Sequence, residues 1–354
     1  MKVSVLGAGA IGSMIGGLLA QDATDVEVLL VARGEHGRRI AERGAIALDG
    51  PWGRRDVRVA VSDDPATIRG SQYVLITTKS QDTEAAAAAA AAHWGSATII
   101  SIQNGINDSR LLNFVEPGRL VMGMTATNMA LVEPGRVSLQ LGGATIVGPP
   151  AGAVAADMAA SDAAAKVLSR IRWPSLKFLA HPNAVGARYN KLAINALGYA
   201  SCLSRSNFIT EALAQREWRN TVGLPIVREC DRVFSSVGIS LQRIPGVPSL
   251  PRLDRLMRQM NTPVVGAAIA FGMRRLFNRR PIIFSLQQDL ERGKSTEVEF
   301  VNGEVVRLAE CKGTSAMVNR LAVQLVRELE NRGPAQFFTR DEVIERFAAV
   351  ARMA

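Results

Sequence analysis

The chain has 354 residues, 47% apolar and 21% charged, which excludes a disordered or collagen-like chain and suits about two domains with a buried core. Forty-two lysines and arginines against 32 acids give a net charge of +10, a balance that suits anionic ligands. Cys202, Cys230 and Cys311 lie far apart, so neither a disulfide framework nor a metal site is expected, and a reducing cytoplasmic setting fits.

Residues 3–6 form a short apolar run, and Gly7-Ala8-Gly9-Ala10-Ile11-Gly12 follows directly. Residues 13–20 read as a helix, and the Val- and Leu-rich run 26–31 reads as a second strand ending at Ala32-Arg33-Gly34. This is a βαβ unit of a parallel sheet. The N-terminus also has the outline of a short signal sequence, but a buried strand entering a glycine turn accounts for the glycines better. Further buried strands are expected at 73–77, 97–102 and 120–124. The alanine-rich stretch 85–92 reads as a crossover helix, because alanine is the best helix former. Segments 137–141 and 144–147, joined by Gly142-Gly143, read as a hairpin at the sheet's edge.

After Pro182 long helical patterns replace strands. The expected fold class is α/β: an N-terminal Rossmann-type doubly wound parallel sheet over residues 1–180, then an all-helical domain over 181–354. An insertion at about 243–283 is rich in proline (Pro245, Pro248, Pro251, Pro263) and basic pairs (Arg274-Arg275, Arg279-Arg280). No apolar run reaches the roughly 18 residues of a membrane span, so no membrane partner is expected. Apolar residues within 264–277 are a candidate homodimer face.

The pattern Gly7-x-Gly9-x-x-Gly12 carries the first chemistry. The first glycine permits a tight turn, the second lets backbone approach a pyrophosphate, and the third lets the helix pack close to the strand. Ala8, Ala10 and Ile11 lie within the same cofactor-binding loop, and the helix start offers free N–H groups to phosphate. An acidic residue at the end of the second strand would select NAD. Arg33 stands there instead, and a guanidinium suits the 2′-phosphate of NADP(H), although Glu35 is close by. Lys79 and Asn104 follow later strands, where ligands bind in open α/β sheets. Each fits a cofactor or substrate contact as well as it fits a surface lysine or a turn asparagine. Lys191 and Asn195 share one helix face among apolar neighbours. A buried lysine is a usable proton donor, and a lysine snorkelling from a packed helix fits the spacing equally. Gly293 reads as a helix stop, and Thr296 with Glu299 as a capping box.

Together these motifs resemble the ketopantoate reductase family, over residues 1 to about 332. The carriers are the glycine turn, Thr78-Lys79, Gln103-Asn104-Gly105, Lys191-Leu192-Ala193-Ile194-Asn195, and Ser285 with Thr296-Glu297-Val298-Glu299-Phe300-Val301-Asn302-Gly303. The resemblance implies an enzyme that uses NADPH to reduce a small anionic 2-oxo acid to a 2-hydroxy acid, with 2-dehydropantoate as favoured substrate, in pantothenate synthesis. It implies Lys191 as general acid and Glu297 as a catalytic residue near both lysine and cofactor. Asn104, Asn195 and Ser285 match substrate-binding positions, and Lys79 matches a cofactor-side lysine. His36, His93 and His181 match no catalytic position and are expected at the surface. Two departures bear on the substrate. Tyr199 stands where the family has a second asparagine, which makes it a substrate-binding candidate, and the 243–283 insertion ends just before Ser285. The alternatives are a reductase of another oxo acid or ketone, and an NADPH-binding sensor without catalysis. Nucleic-acid binding has only the basic charge behind it: aromatics are 5%, with no stacking platform.

Overall fold

The computed structural model describes residues 1–152, 158–277, 284–334 and 336–351, apart from the side chains of residues 274, 276, 277 and 351. These divide into two compact units: Met1–Arg188 with Ile244–Val247, and Tyr189–Arg243 with Pro248–Ala354.

In the first unit, β1 (Lys2–Leu6) leads through the glycine turn into α1 (Ala10–Asp22), followed by β2 (Glu27–Val31) and α2 (Gly34–Arg43). Then come β3 (Ala45–Gly50), β4 (Gly53–Arg58), β5 (Ala60–Ser62), β6 (Tyr73–Ile76), α3 (Thr83–Ala90), β7 (Thr98–Ile102), α4 (Asp108–Leu111) and β8 (Leu120–Thr125). The unit continues with β9 (Asn128–Glu133), β10 (Arg136–Leu141), β11 (Ala144–Gly148), α5 (Ala159–Leu168) and β12 (Lys177–Ala180). The main sheet has the order β12-β11-β8-β7-β6-β1-β2-β5. From β5 to β8 every neighbouring pair is parallel, with the strand sequence that reverses direction between β1 and β6. That reversal is the ligand-binding switch point of doubly wound sheets. Lys2–Leu6 is thus a central strand of this sheet, buried from Val3 onward.

A second sheet, β4-β3-β10-β9, lies against α1. This explains why α1 is buried on more than one side: Gly16 faces Leu30 and Val5 of the main sheet, and Gly17 faces Leu48 and Ile46 of the second. The hairpin expected over 137–147 does not form. β10 pairs with β3 and β9, whereas β11 pairs with β8 and β12. A two-residue hairpin needs positive φ in its turn, and neither Gly142 nor Gly143 has it. They are glycines because Ser175 and the Ala126–Thr127 backbone crowd them, and they pass the chain from one sheet to the other.

His36 is buried, contrary to its expected surface position, while His93 and His181 are partly exposed. Its small neighbours admit it: Ser13 and Gly135 both reach its ring nitrogens.

α6 (Ala184–Cys202) begins in the first unit and continues into the second, whose described residues form helices and their connections without a strand. There follow α7 (Arg216–Trp218), α8 (Leu224–Ser236), α9 (Leu250–Gln259), α10 (Pro263–Phe277), α11 (Ser285–Glu291), α12 (Val298–Cys311), α13 (Met317–Arg332) and α14 (Arg340–Ala351). The proline-rich insertion is largely α9 and α10. Pro251 and Pro263 sit at helix starts, where the missing N–H costs nothing. Arg279, Arg280 and Pro281 lie outside the described residues. Gly293, at φ +61°, follows α11 as its stop. The capping box at 296–299 is not made. Thr296 accepts from the Val298 amide, its own N–H donates to Glu330, and Glu299 pairs with Arg327, so Glu297 occupies the cap position of α12. Among the described residues no helix is long and apolar enough to cross a membrane.

One buried ion pair anchors the start of α6. Arg188 grips both oxygens of Asp108, at 2.5 and 2.7 Å, and the Ala151 amide donates to the same carboxylate. Burial alone would raise the Asp108 pKa, and the guanidinium more than offsets it. Removing one partner strands the other charge. Asp108→Ala should therefore lose about 3–5 kcal/mol of stability, read from urea unfolding by circular dichroism, while an apolar replacement of both residues should recover most of it.

Candidate active site

In the first unit the candidate ligand residues gather at the C-terminal ends of four adjacent parallel strands. The glycine turn follows β1, Arg33 follows β2, Lys79 follows β6 and Asn104 follows β7. Each glycine of the turn has a testable reason. Gly7 has φ +83°, and a Cβ there would meet the Thr78 amide nitrogen at 2.7 Å. A Cβ on Gly12 would strike Thr77 and come within 2.7 Å of Val5. Gly9 differs: a Cβ would have no protein atom nearer than 3.9 Å. Packing explains the first and third glycines but not the second, which leaves open space at the start of α1.

The first bond of α1 runs from the Ser13 amide to the Gly9 carbonyl. The amides of Ala10, Ile11 and Gly12 precede it and have no partner within the helix. N–H groups at the positive end of a helix dipole could hold a phosphate. Arg33 is the N-cap residue of α2. It is exposed and has no ion-pair partner among the described residues. Glu35, the nearby acid that would favour a ribose hydroxyl, is engaged by Arg38 and Arg39 on its own helix.

Side chains missed in the sequence hold the loops after β6 and β7. Gln103 donates to the Thr78 carbonyl and the Thr83 hydroxyl, both at 2.8 Å, and accepts from Ser101. Ser80 donates to the Asn104 carbonyl at 2.6 Å, and buried Asn107 donates to it at 3.1 Å. The only sequence signal was Gln103 beside Asn104-Gly105, which marks a turn but not its partners.

In the second unit Lys191, Asn195 and Tyr199 follow one another at four-residue spacing along α6. Lys191 has no carboxylate within ion-pair distance among the described residues, and burial pulls its pKa down to about 8. The residue as a whole is half-buried. Asn195 is buried. Tyr199 is 1% exposed, and its hydroxyl completes no hydrogen bond. Ser285 approaches closely enough to lower its pKa slightly, but burial and the Glu297 carboxylate raise it further. Tyr199, Ser285 and Glu297 thus converge, with Ser285 opening α11 at an exposed position and Glu297 buried at the start of α12.

Phe284, also missed, packs edge-on to Tyr199 at 6.3 Å and to Phe208 at 5.4 Å. A Cβ on Gly198 would run into its ring, so Gly198 is what admits Phe284. That glycine, next to Tyr199 in a helix interior, was the available signal.

Comparison with known proteins covers both units. The family profile described as ketopantoate reductase PanE/ApbA matches residues 3–152, and that of its C-terminal part matches residues 183–330. Over 344 residues the chain is 30% identical to the 2-dehydropantoate 2-reductase of Pyrococcus abyssi strain GE5, covering 93% of this chain and 98% of that one. The crystal structure of a PanE/ApbA family ketopantoate reductase from Ralstonia eutropha JMP134 matches with TM-score 0.70 at 25% identity, over 94% and 99% of the two chains. D-mandelate dehydrogenase in its ternary structure with NADH and anilino(oxo)acetate matches at TM-score 0.74, 21% identity and the same coverage. At that identity the likeness is one of fold.

An unpaired buried hydroxyl is a stability cost of about 1–3 kcal/mol. Tyr199→Phe, which removes that group alone, should therefore leave the melting temperature of the ligand-free protein unchanged or higher; a clear fall would show that the hydroxyl has a partner.

Proposed function

Because the chain belongs to the ketopantoate reductase family and is an oxidoreductase acting on CH–OH groups, we propose that it reduces a 2-oxo acid to the 2-hydroxy acid with NADPH, 2-dehydropantoate being the favoured substrate. The observation that carries this reading is Lys191. An ammonium without a counter-charge among the described residues, with its pKa drawn down to about 8, attracts an anion and gives up a proton near neutral pH.

The glycine turn fits a dinucleotide, since the open space at Gly9 and the amides of Ala10 and Ile11 suit a pyrophosphate. Arg33 suits a 2′-phosphate, and Lys79 and Asn104 follow neighbouring strands on the same side. NADPH, when bound, supplies the hydride for the keto carbon. Lys191 Nζ protonates the oxygen as negative charge develops on it, and its positive charge stabilises that oxygen more in the transition state than in the ground state. Asn195 and Ser285 orient the substrate by hydrogen bonds. Glu297, beside Tyr199 and Ser285, holds the polar end of the site in register. The NADPH-binding sensor is disfavoured, because a sensor has no use for a depressed lysine among polar anchors. A second reading keeps the reaction but changes the substrate. The Tyr199–Phe284 wall offers less hydrogen bonding and more apolar surface than a carboxamide would, which favours a 2-oxo acid with a bulkier apolar substituent.

The test is NADPH oxidation with 2-dehydropantoate against a panel of 2-oxo acids. Lys191→Ala should cut turnover by about 10²–10⁴-fold while NADPH still binds; near-normal turnover would falsify the assignment. In the wild type, kcat/KM for reduction should be flat at low pH and fall as pH rises through about 8, because the proton that Lys191 donates is lost there. That alkaline limb should vanish in Lys191→Ala. Replacing Arg33 with alanine should weaken NADPH binding by about 1–3 kcal/mol and leave NADH nearly unchanged in a fluorescence titration.

A further inference from the structure

His36 sits on the first turn of α2, the helix that Arg33 caps, and is buried. The Gly135 amide, between β9 and β10, donates to its Nδ1 at 2.9 Å. Nδ1 therefore presents a lone pair. Burial also holds the ring's pKa below the usual histidine value, so the imidazole is neutral with its proton on Nε2. That N–H meets Ser13 Oγ at 2.9 Å, and the Ser13 hydroxyl in turn donates to the Ala8 carbonyl at 2.9 Å. A single relay runs from Gly135 through His36 and Ser13 to Ala8, with every donor matched to an acceptor.

Both ends of this relay bear on phosphate recognition. The Ala8 carbonyl belongs to the peptide plane at which β1 gives way to α1, so fixing it fixes the direction of the open amides that follow. The imidazole belongs to the turn that Arg33 begins. We infer that His36 is a positioning residue that sets the spacing between the glycine turn and Arg33, and through it the preference for a dinucleotide carrying a 2′-phosphate. This rests on the reading of Arg33 given above. A packing role alone predicts something different: NADH uses the same glycine turn, so loosening the turn without moving Arg33 weakens both cofactors alike.

The experiment measures NADPH and NADH dissociation constants by fluorescence titration, without substrate, in wild type, Arg33→Ala, Ser13→Ala, His36→Asn and His36→Gln, with thermal melts to verify folding. Ser13→Ala removes only the central hydroxyl and serves if a His36 variant does not fold. Glutamine places an amide N–H where Nε2–H was, and asparagine does not reach. Ser13→Ala and His36→Asn should each lower the ratio of NADPH to NADH affinity about tenfold, and His36→Gln should keep most of it. If Arg33→Ala is selective for NADPH but the His36 and Ser13 variants weaken both cofactors equally, the inference falls and the reading of Arg33 stands. If Arg33→Ala itself weakens both equally, the two fall together. Asparagine and glutamine behaving alike would overturn the relay.

Discussion

The close approach of the glycine turn to the end of β6 governs the first unit. Strand β1 ends against Thr77 and Thr78, with the Thr77 hydroxyl donating to the Gly7 carbonyl at 2.9 Å, and no side chain fits at position 7 or 12. The sheet reverses its strand order at this seam, which is where doubly wound sheets leave room for a ligand. The amides of α1, Arg33 at the start of α2, Lys79 after β6 and the loop held by Gln103 all follow strands of that seam or beside it. Gly9 is the one position in the turn that internal packing leaves unexplained, which is why it argues for a ligand and its two neighbours do not.

The second unit depends on a different constraint, a charge placed where protein surroundings disfavour it. Surface ion pairs are abundant in this chain and individually contribute little. Lys191 differs in being crowded by protein without a carboxylate in ion-pair range among the described residues. A fold optimised only for stability would replace such a lysine or give it a carboxylate partner. The depressed pKa is therefore a cost to the folded state below about pH 8 that the unfolded chain does not carry, relieved as pH rises through the unperturbed value of roughly 10.4. Positions that keep such a cost are where chemistry is sought.

Much of this was legible beforehand, and the failures have physical causes. The strand–turn–helix opening, the crossover helix at 83–90 and the helical second half follow from periodicity and alanine content. The second sheet left no such trace: in β4, Gly-Arg-Arg-Asp-Val-Arg, only Val57 is buried, so alternation is absent. Gly142-Gly143 looks the same whether it reverses a chain or squeezes it past a neighbour, and only φ decides. Thr296 and Glu299 had capping-box spacing, but Glu330 and Arg327 reached them from α13, a long-range competition that local sequence does not encode. The burial of His36 is invisible locally, because its polar partners lie 23 and 99 residues away. At the site, the stripe Lys191–Asn195–Tyr199 was readable from helical spacing alone, whereas Phe284 lay in no motif.

The Gly198–Phe284 contact sharpens what Tyr199 does. Glycine in the middle of a helix costs about 1 kcal/mol relative to alanine, so it is kept where something needs the space, and here a phenyl ring does. That ring meets Tyr199 edge-on and stands next to Ser285, which leaves the tyrosine ring little freedom to move. A flexible surface tyrosine would expose its hydroxyl to water; this one is buried with the hydroxyl unpaired beside Glu297. An unpaired donor in a rigid aromatic frame reaches its full hydrogen-bonding value when an acceptor is brought to it. The Gly198–Phe284–Tyr199 contact is therefore a rigid apolar frame around one buried hydroxyl, and shape rather than side-chain motion decides what can stand beside it.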